Sequence, residues 1–224
     1  MTCKMDRSEW GDLPLFPLNT VLFPGMMLPL HIFEERYKLM INRCLEESRF
    51  FGVVLARAES DVPYKVGTTA VIAKASRLEE GRMHIVTVGS ERFRLHDIRH
   101  DLPYLSGSAE PWPLIGAATE QAQDQVGPVR ALFHQYLTLL AQAQGHRIEV
   151  EEVPSEPRIL ALLIAIALQL PMPQKQRLLH QPTVAYMLRA ERAIMRREQL
   201  LLDYIIRTQA EQWEGGYSGL LAQN

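Results

Sequence analysis

Seven histidines, two cysteines and a few clustered carboxylates and arginines are the residues of this 224-residue chain best suited to chemistry. His31, His84, His96, His100, His134, His146 and His180 include no H-E-x-x-H pair and no pair spaced beside cysteines, so local metal-ligand spacing is missing. His96 and His100 are four apart, but in a stretch that reads as strand and turn, where that spacing does not bring side chains together as a helix would. Cys3 and Cys44 are too few for a disulfide framework or a four-ligand zinc site. Cys44 falls on the apolar side of a predicted helix and reads as a small buried hydrophobe. No metal or other cofactor is expected.

Three other groups could bind rather than react. Glu34, Glu35 and Arg36 precede Tyr37, either as a polar cluster lining a groove or as a structural set with Arg36 clamping a carbonyl or carboxylate and Tyr37 packed on the core. Arg92 and Arg94 alternate with Phe93 and Leu95, which puts both arginines on one sheet face. There they hold a carboxylate or peptide terminus, or simply face solvent. Met26 and Met27 follow the Pro24-Gly25 turn, where consecutive side chains cannot both face one core. An exposed thioether beside proline and aromatic edges suits varied apolar peptide segments.

These residues need elements to hold them. Residues 13 to 37, LPLFPLNTVLFPGMMLPLHIFEERY, interleave prolines with core-forming residues. Pro14, Pro17, Pro24 and Pro29 each lack a backbone donor, so short, bent edge segments around a small β-barrel are expected, with prolines at corners. A helix is predicted over about Phe33 to Glu47, from Phe33, Tyr37, Met40, Ile41, Cys44 and Leu45. Strands follow at Phe50–Leu55 and Val66–Leu78, then at Arg82–Val88 after a Glu80-Gly81 join. Gly89-Ser90 is expected to turn the chain into Arg92–Ile98, and Tyr104–Ala109 closes a β-barrel or pseudobarrel.

After Trp112 the periodicity becomes helical. One amphipathic helix carries Val126, Val129, Leu132, Phe133, Tyr136, Leu137 and Leu140. Ile159 to Leu170 is apolar nearly all round and is expected to be a central helix. A short helix is predicted over Gln174–His180, then a long one from Pro182 to about Gln212. Its buried stripe would be Val184, Met187, Leu188, Ile194, Met195, Leu201, Leu202, Ile205 and Ile206. Glu191, Glu198 and Asp203 would share a solvated face with arginines. The tail, with Gly215, Gly216 and Gly219, is expected to be mobile. The predicted division is therefore a β domain over 10–115, a helical bundle over 118–212 and a tail over 213–224, an α+β chain.

Composition narrows the classes. Hydrophobic content of 47% and charged content of 22% are ordinary for a globular protein. A net charge of −2 gives no general attraction to nucleic acid or anionic membranes. The first twelve residues lack the apolar stretch of a secretion signal, and Ile159 to Leu168 is too short to span a bilayer. A cytoplasmic location is expected.

Taken in order, the proline-rich run, the VGTTAVI run and the GR…VGSERFRL hairpin resemble the N-terminal domain of the ATP-dependent Lon proteases. The likeness is strong over roughly residues 10 to 112 and weaker over LQLPMPQKQRLL, residues 168 to 179. It implies a PUA-like β pseudobarrel followed by an α-helical bundle, in a region associated with recognising unfolded or tagged protein substrates and with assembly. A stand-alone bacterial form is implied, since no G-x-x-x-x-G-K-[ST] loop and no S-x-x-K occurs, and none of the 13 glycines precedes a lysine. The chain is expected to hydrolyse neither ATP nor peptide bonds.

The expected function is thus a non-catalytic polypeptide-recognition module, acting as adaptor, chaperone-like holder or regulator. Its candidate peptide-binding residues are Met26, Met27, His31, Arg36, Tyr37, Arg92 and Arg94. Expected partners are unfolded or extended polypeptide, without nucleic acid or membrane, and a homo-oligomer is compatible. One alternative is an RNA-binding PUA-like module, disfavoured by fourteen Lys/Arg against fifteen Asp/Glu in residues 1 to 112. Another is a small-molecule or enzymatic site in a crevice between barrel and bundle, where His31, Glu35 and Arg36 would converge.

Overall fold

Prolines at positions 14 and 17 lie inside a strand that has neighbours on both sides. The computed structural model describes residues 10–47, 49–57, 60, 62–145 and 152–220. In it β1 (Leu13–Leu18) lies between β3 (Phe51–Leu55) and β6 (Leu105–Gly107), not at an edge as expected from its prolines. The register resolves the conflict. β6 pairs antiparallel with Leu13 to Leu15, and β3 pairs parallel with Leu15 to Leu18. Each proline therefore has a paired strand on one side only, and the missing N–H costs no ladder bond.

The complete sheet runs β2 (Met27–Ile32), β5 (Met83–Leu95), β4 (Val66–Arg77), β3, β1, β6, with β7 (Ala109–Pro111) also on β5. Two apolar cores explain why β1 and β3 read as continuous apolar runs rather than alternating ones. Phe16, Phe51 and Val53 enter a core with Ile32, Met83, Ile85 and the inner face of α1 (Glu35–Glu46). Leu13, Leu15 and Val54 enter the other, with Trp10, Phe93 and Leu95. Helix α1 contributes Tyr37, Met40, Ile41 and Cys44, all buried. Each large side chain fully buried this way stabilises by about 1.5–3 kcal/mol.

Gly89-Ser90 does not turn the chain. β5 is one 13-residue strand through both residues, and the glycine has another use. A Cβ there would run into the Phe23 carbonyl. That close approach lets the Gly25 amide donate to the Gly89 carbonyl (2.8 Å) and the Gly89 amide to the Met26 carbonyl (2.9 Å). The Pro24-Gly25 turn is thereby pinned to the middle of β5. It has the form of a type II turn, with Gly25 at φ 81° and the Met26 amide on the Phe23 carbonyl (3.0 Å).

Two compact units are formed: Met1–Ile115 with Ala165–Pro182, and Gly116–Ile164 with Thr183–Asn224. The first therefore includes α4 (Met172–Leu179), which returns to β4 after the intervening helices. In the second, α2 (Glu120–Ala143) packs on α5 (Val184–Leu220). Thr119 caps α2 by accepting from the Ala122 amide (3.3 Å). Helix α3 (Pro157–Ala167) is not apolar-buried all round, for Ile159 and Leu163 reach solvent.

Two expectations for α5 are corrected. Glu191, expected on the solvated face, is fully buried beside the Met187, Leu188 and Met195 positions of the stripe. Leu201 and Ile205, expected in the buried stripe, are exposed. The helix also continues through residues 213–220, where the glycines were expected to end it. No helix among the described residues is long and apolar enough to cross a membrane.

Candidate functional site

Among the described residues β2 is the terminal strand of the sheet and pairs on one side only, with β5. Its alternation decides what it shows to solvent. Leu28 and Leu30 pack against the core and Ile32 is buried, whereas Met27, Pro29 and His31 point outward. Thr87 fixes this register further by donating its hydroxyl to the Leu28 carbonyl (2.9 Å). Directly across on β5, Met27 faces Val88, Pro29 faces Val86 and His31 faces His84. Val71 of β4 continues the row beyond Val88.

The result is an exposed, mainly apolar strip at a sheet edge. Met27 is 65% exposed, and Phe33, just past the strand, is 60% exposed. Phe33 lies 5.7 Å from the His31 ring, and His31 and His84 meet edge to face at 4.7 Å. Met26 does not join this strip, because its side chain is partly buried against the core. The methionine pair thus splits, one inward and one outward.

The remaining candidates occupy different places. Arg36 pairs with the Glu34 carboxylate (2.7 Å) and lies 4.6 Å over the Tyr37 ring. Tyr37 is buried, 4.1 Å from the Phe16 ring, and burial raises its phenol above the ordinary value. Glu35 binds Lys38 (2.8 Å), so His31, Glu35 and Arg36 each have separate neighbours. Arg92 and Arg94 do not share an open face. Arg92 is only 3% exposed and donates through Nη1 to the carbonyls of Leu179 (2.6 Å) and Gln181 (2.8 Å). Arg94 lies flat on Trp112, 3.4 Å from its ring centre.

Arg92 instead holds α4 in place, helped by Gln176, whose buried amide donates to the Val66 carbonyl (2.8 Å). No motif announced the cavities nearby, two of which have α4 residues in their walls. One, of about 440 Å³, is lined by Arg57, Lys65, Arg177 and His180 among others. A second, of about 660 Å³, has Leu55, Ala56, Met172 and Pro173 in its wall and shares Arg57 and Tyr64 with the first. A third, of about 460 Å³, holds Arg36, Tyr37 and His100 together with Arg57. The residues come from widely separated stretches of chain, so sequence spacing carries no signal for them.

Among the described residues no three His, Cys, Asp or Glu side chains gather where they could hold a metal ion. Burial pushes the Cys44 thiol up to about 11, which leaves little thiolate at neutral pH.

Comparison with known proteins gives a consistent result. The profile described as the ATP-dependent protease La (LON) substrate-binding domain matches residues 12–197. Lon protease 2 of Myxococcus xanthus is 29% identical over 175 residues, covering 75% of this chain and 21% of that protein. Lon protease 1 of Thermus thermophilus is 30% identical over 198 residues, covering 84% of this chain and 25% of that protein. The chain thus spans a quarter or less of the length of either relative.

The fold agrees with solved structures. A Lon N-terminal domain protein from Xanthomonas campestris superposes with a TM-score of 0.63 at 24% identity, covering 80% of this chain and 95% of that one. The N-terminal domain of a Mycobacterium avium complex Lon protease gives 0.64 at 19% identity, covering 82% and 97%. The α+β fold expected from the sequence is the fold of these domains. With the family profile matching most of its length, the chain belongs to the substrate-binding domain family of the ATP-dependent protease Lon.

Proposed function

We propose that this protein captures extended or unfolded polypeptide through the outer face and open edge of β2, binding without catalysis. The observation that carries the reading is the pair of large apolar side chains, Met27 and Phe33, held in solvent at the end of a sheet. A flexible thioether and an aromatic ring accept varied apolar side chains without demanding one sequence. Backbone groups of β2 add strand-like hydrogen bonds on its free side, interrupted only where Pro29 has no donor.

Ordering a flexible ligand costs entropy, so micromolar affinity is expected. The family's description as a substrate-binding domain supports the same reading. In a cell such capture serves an adaptor or a chaperone-like holder.

The test is binding of a fluorescent, reduced and unfolded polypeptide, followed by anisotropy. Met27→Asp with Phe33→Ser should weaken binding about tenfold or more while leaving the circular dichroism spectrum unchanged. Equal binding by wild type and variant would move the site elsewhere, and no binding by wild type would end the reading.

A further inference from the structure

Two adjoining cavities of the first unit, which share Arg57 and Tyr64, differ in the charged side chains that line them. The smaller places Arg57, Lys65, Arg177 and His180 around about 440 Å³, and no Asp or Glu contributes to its described wall. Among the described residues none of these four forms an ion pair with a carboxylate. The larger continues past Arg57 and Tyr64 onto Leu55, Ala56, Met172 and Pro173, with Asn19 and Ser60 as its polar members. Cationic side chains thus gather at one chamber, and beyond Arg57 the next adds no Lys or Arg to its described wall.

Hydrogen bonds tie down both described walls. α4 supplies Met172, Arg177 and His180, and it is tied down by Arg92 on the Leu179 and Gln181 carbonyls and by Gln176 on Val66. On the opposite side the Tyr64 amide donates to the Leu55 carbonyl (3.0 Å), and the Ala56 amide to the Leu18 carbonyl (2.9 Å). Arg57 lies 4.6 Å over the Tyr64 ring, which orients its planar fork at the junction of the two chambers.

We propose that this pair of cavities holds the carboxy-terminal end of a bound polypeptide. The terminal carboxylate sits among Arg57, Lys65 and Arg177, and the preceding apolar side chains fill the chamber of Leu55, Met172 and Pro173. The inference rests on the polypeptide-capture reading and adds an end-specific anchor to it. A nucleic-acid backbone fits poorly, since it needs a continued track of cations: past Arg57 the larger chamber adds no Lys or Arg to its described wall, and Arg36 of the third cavity is already paired with Glu34. A single anionic end on an apolar body is the complementary shape. A peptide C-terminus and a fatty acid share that chemistry, and the experiment separates them.

The experiment compares one N-terminally labelled, unstructured decapeptide with three apolar C-terminal residues in two forms, free acid and carboxamide. The full chain and its Arg57→Gln/Arg177→Gln variant are titrated against both. The expected result is that the acid binds the unmodified protein about tenfold or more tightly than the amide, as loss of charge-assisted hydrogen bonds predicts. The variant should erase that difference while still binding long unfolded polypeptide.

Equal binding of acid and amide overturns the inference and leaves the capture reading standing. No binding of either peptide or of unfolded polypeptide overturns both. Binding of a long-chain fatty acid, or of a single-stranded RNA, that is lost in the variant without any acid–amide difference also overturns it and assigns the cavities to that ligand. Should the double variant fail to fold, the acid–amide comparison on the unmodified protein decides alone.

Discussion

Replacing Glu191 by methionine should make the protein more stable. The carboxyl has no solvent exposure, and neither oxygen has a hydrogen-bond partner among the described residues. No basic group comes within ion-pairing distance of it there, and burial alone pushes its carboxyl well above the usual carboxylate range. An unsatisfied buried polar group costs about 1–3 kcal/mol, and methionine fills similar volume with apolar atoms. The expected gain at pH 7 is therefore about 1–3 kcal/mol, read as a Tm rise of roughly 2–4 °C per kcal/mol.

The pH dependence has a definite sign. Because the folded-state value is raised, the native protein binds the proton more tightly than the unfolded chain. This contribution is fully present below the unfolded value of about 4.3 and is lost as pH rises toward the folded value, with a slope of up to about 1.4 kcal/mol per pH unit. Denaturation with urea from pH 5 to 8 should show wild-type stability falling relative to Glu191→Met, so that the two curves diverge with rising pH. A variant less stable than wild type at pH 7, or curves that converge as pH rises, would show that the carboxylate has an ionic partner and refute the reasoning.

Other changes test the frame of the first unit. Arg92→Met should cost about 2–3 kcal/mol, because the Leu179 and Gln181 carbonyls lose a charged donor, and thermal melting would register it. An unchanged Tm would mean that α4 is held by something else. Gly89→Ala should destabilise by about 1–3 kcal/mol, since its Cβ meets the Phe23 carbonyl and the Pro24-Gly25 turn must move off β5. A neutral effect in chemical denaturation would contradict that close approach. Cys44 should alkylate slowly in the folded protein and rapidly in urea, as peptide mapping by mass spectrometry would show; fast labelling of the native state would refute its burial.

What could be read in the sequence was local. The three- and four-residue spacing of Tyr37, Met40, Ile41 and Cys44 sets the buried face of α1, and Pro24-Gly25 carries its turn geometry in its own backbone preferences. That Met26 and Met27 face opposite ways also followed from the turn, but not which of them points outward. What depends on partners far along the chain was not legible. Pro14 and Pro17 suit an inner strand only because β3 and β6 pair with different halves of β1. Gly89 resembles a turn glycine until the Phe23 carbonyl is beside it. Arg92 alternates like a surface residue, yet its partners lie 87 and 89 residues away. Glu191 broke the pattern because a charged residue type outweighed its helical position, one turn from Met187 and Met195.

The first unit is built from two pieces of chain, Met1–Ile115 and Ala165–Pro182. This arrangement imposes an order on biosynthesis. A ribosome that has released the β strands has not yet supplied α4, so the nascent sheet carries Arg92 without its two carbonyl acceptors and two of the cavities around Arg57 without one wall. Only after residue 182 has left the exit tunnel can both form. A fragment ending near residue 115 would keep the β2 strip but lack the complete chambers, so the strip exists earlier in synthesis than the chambers do.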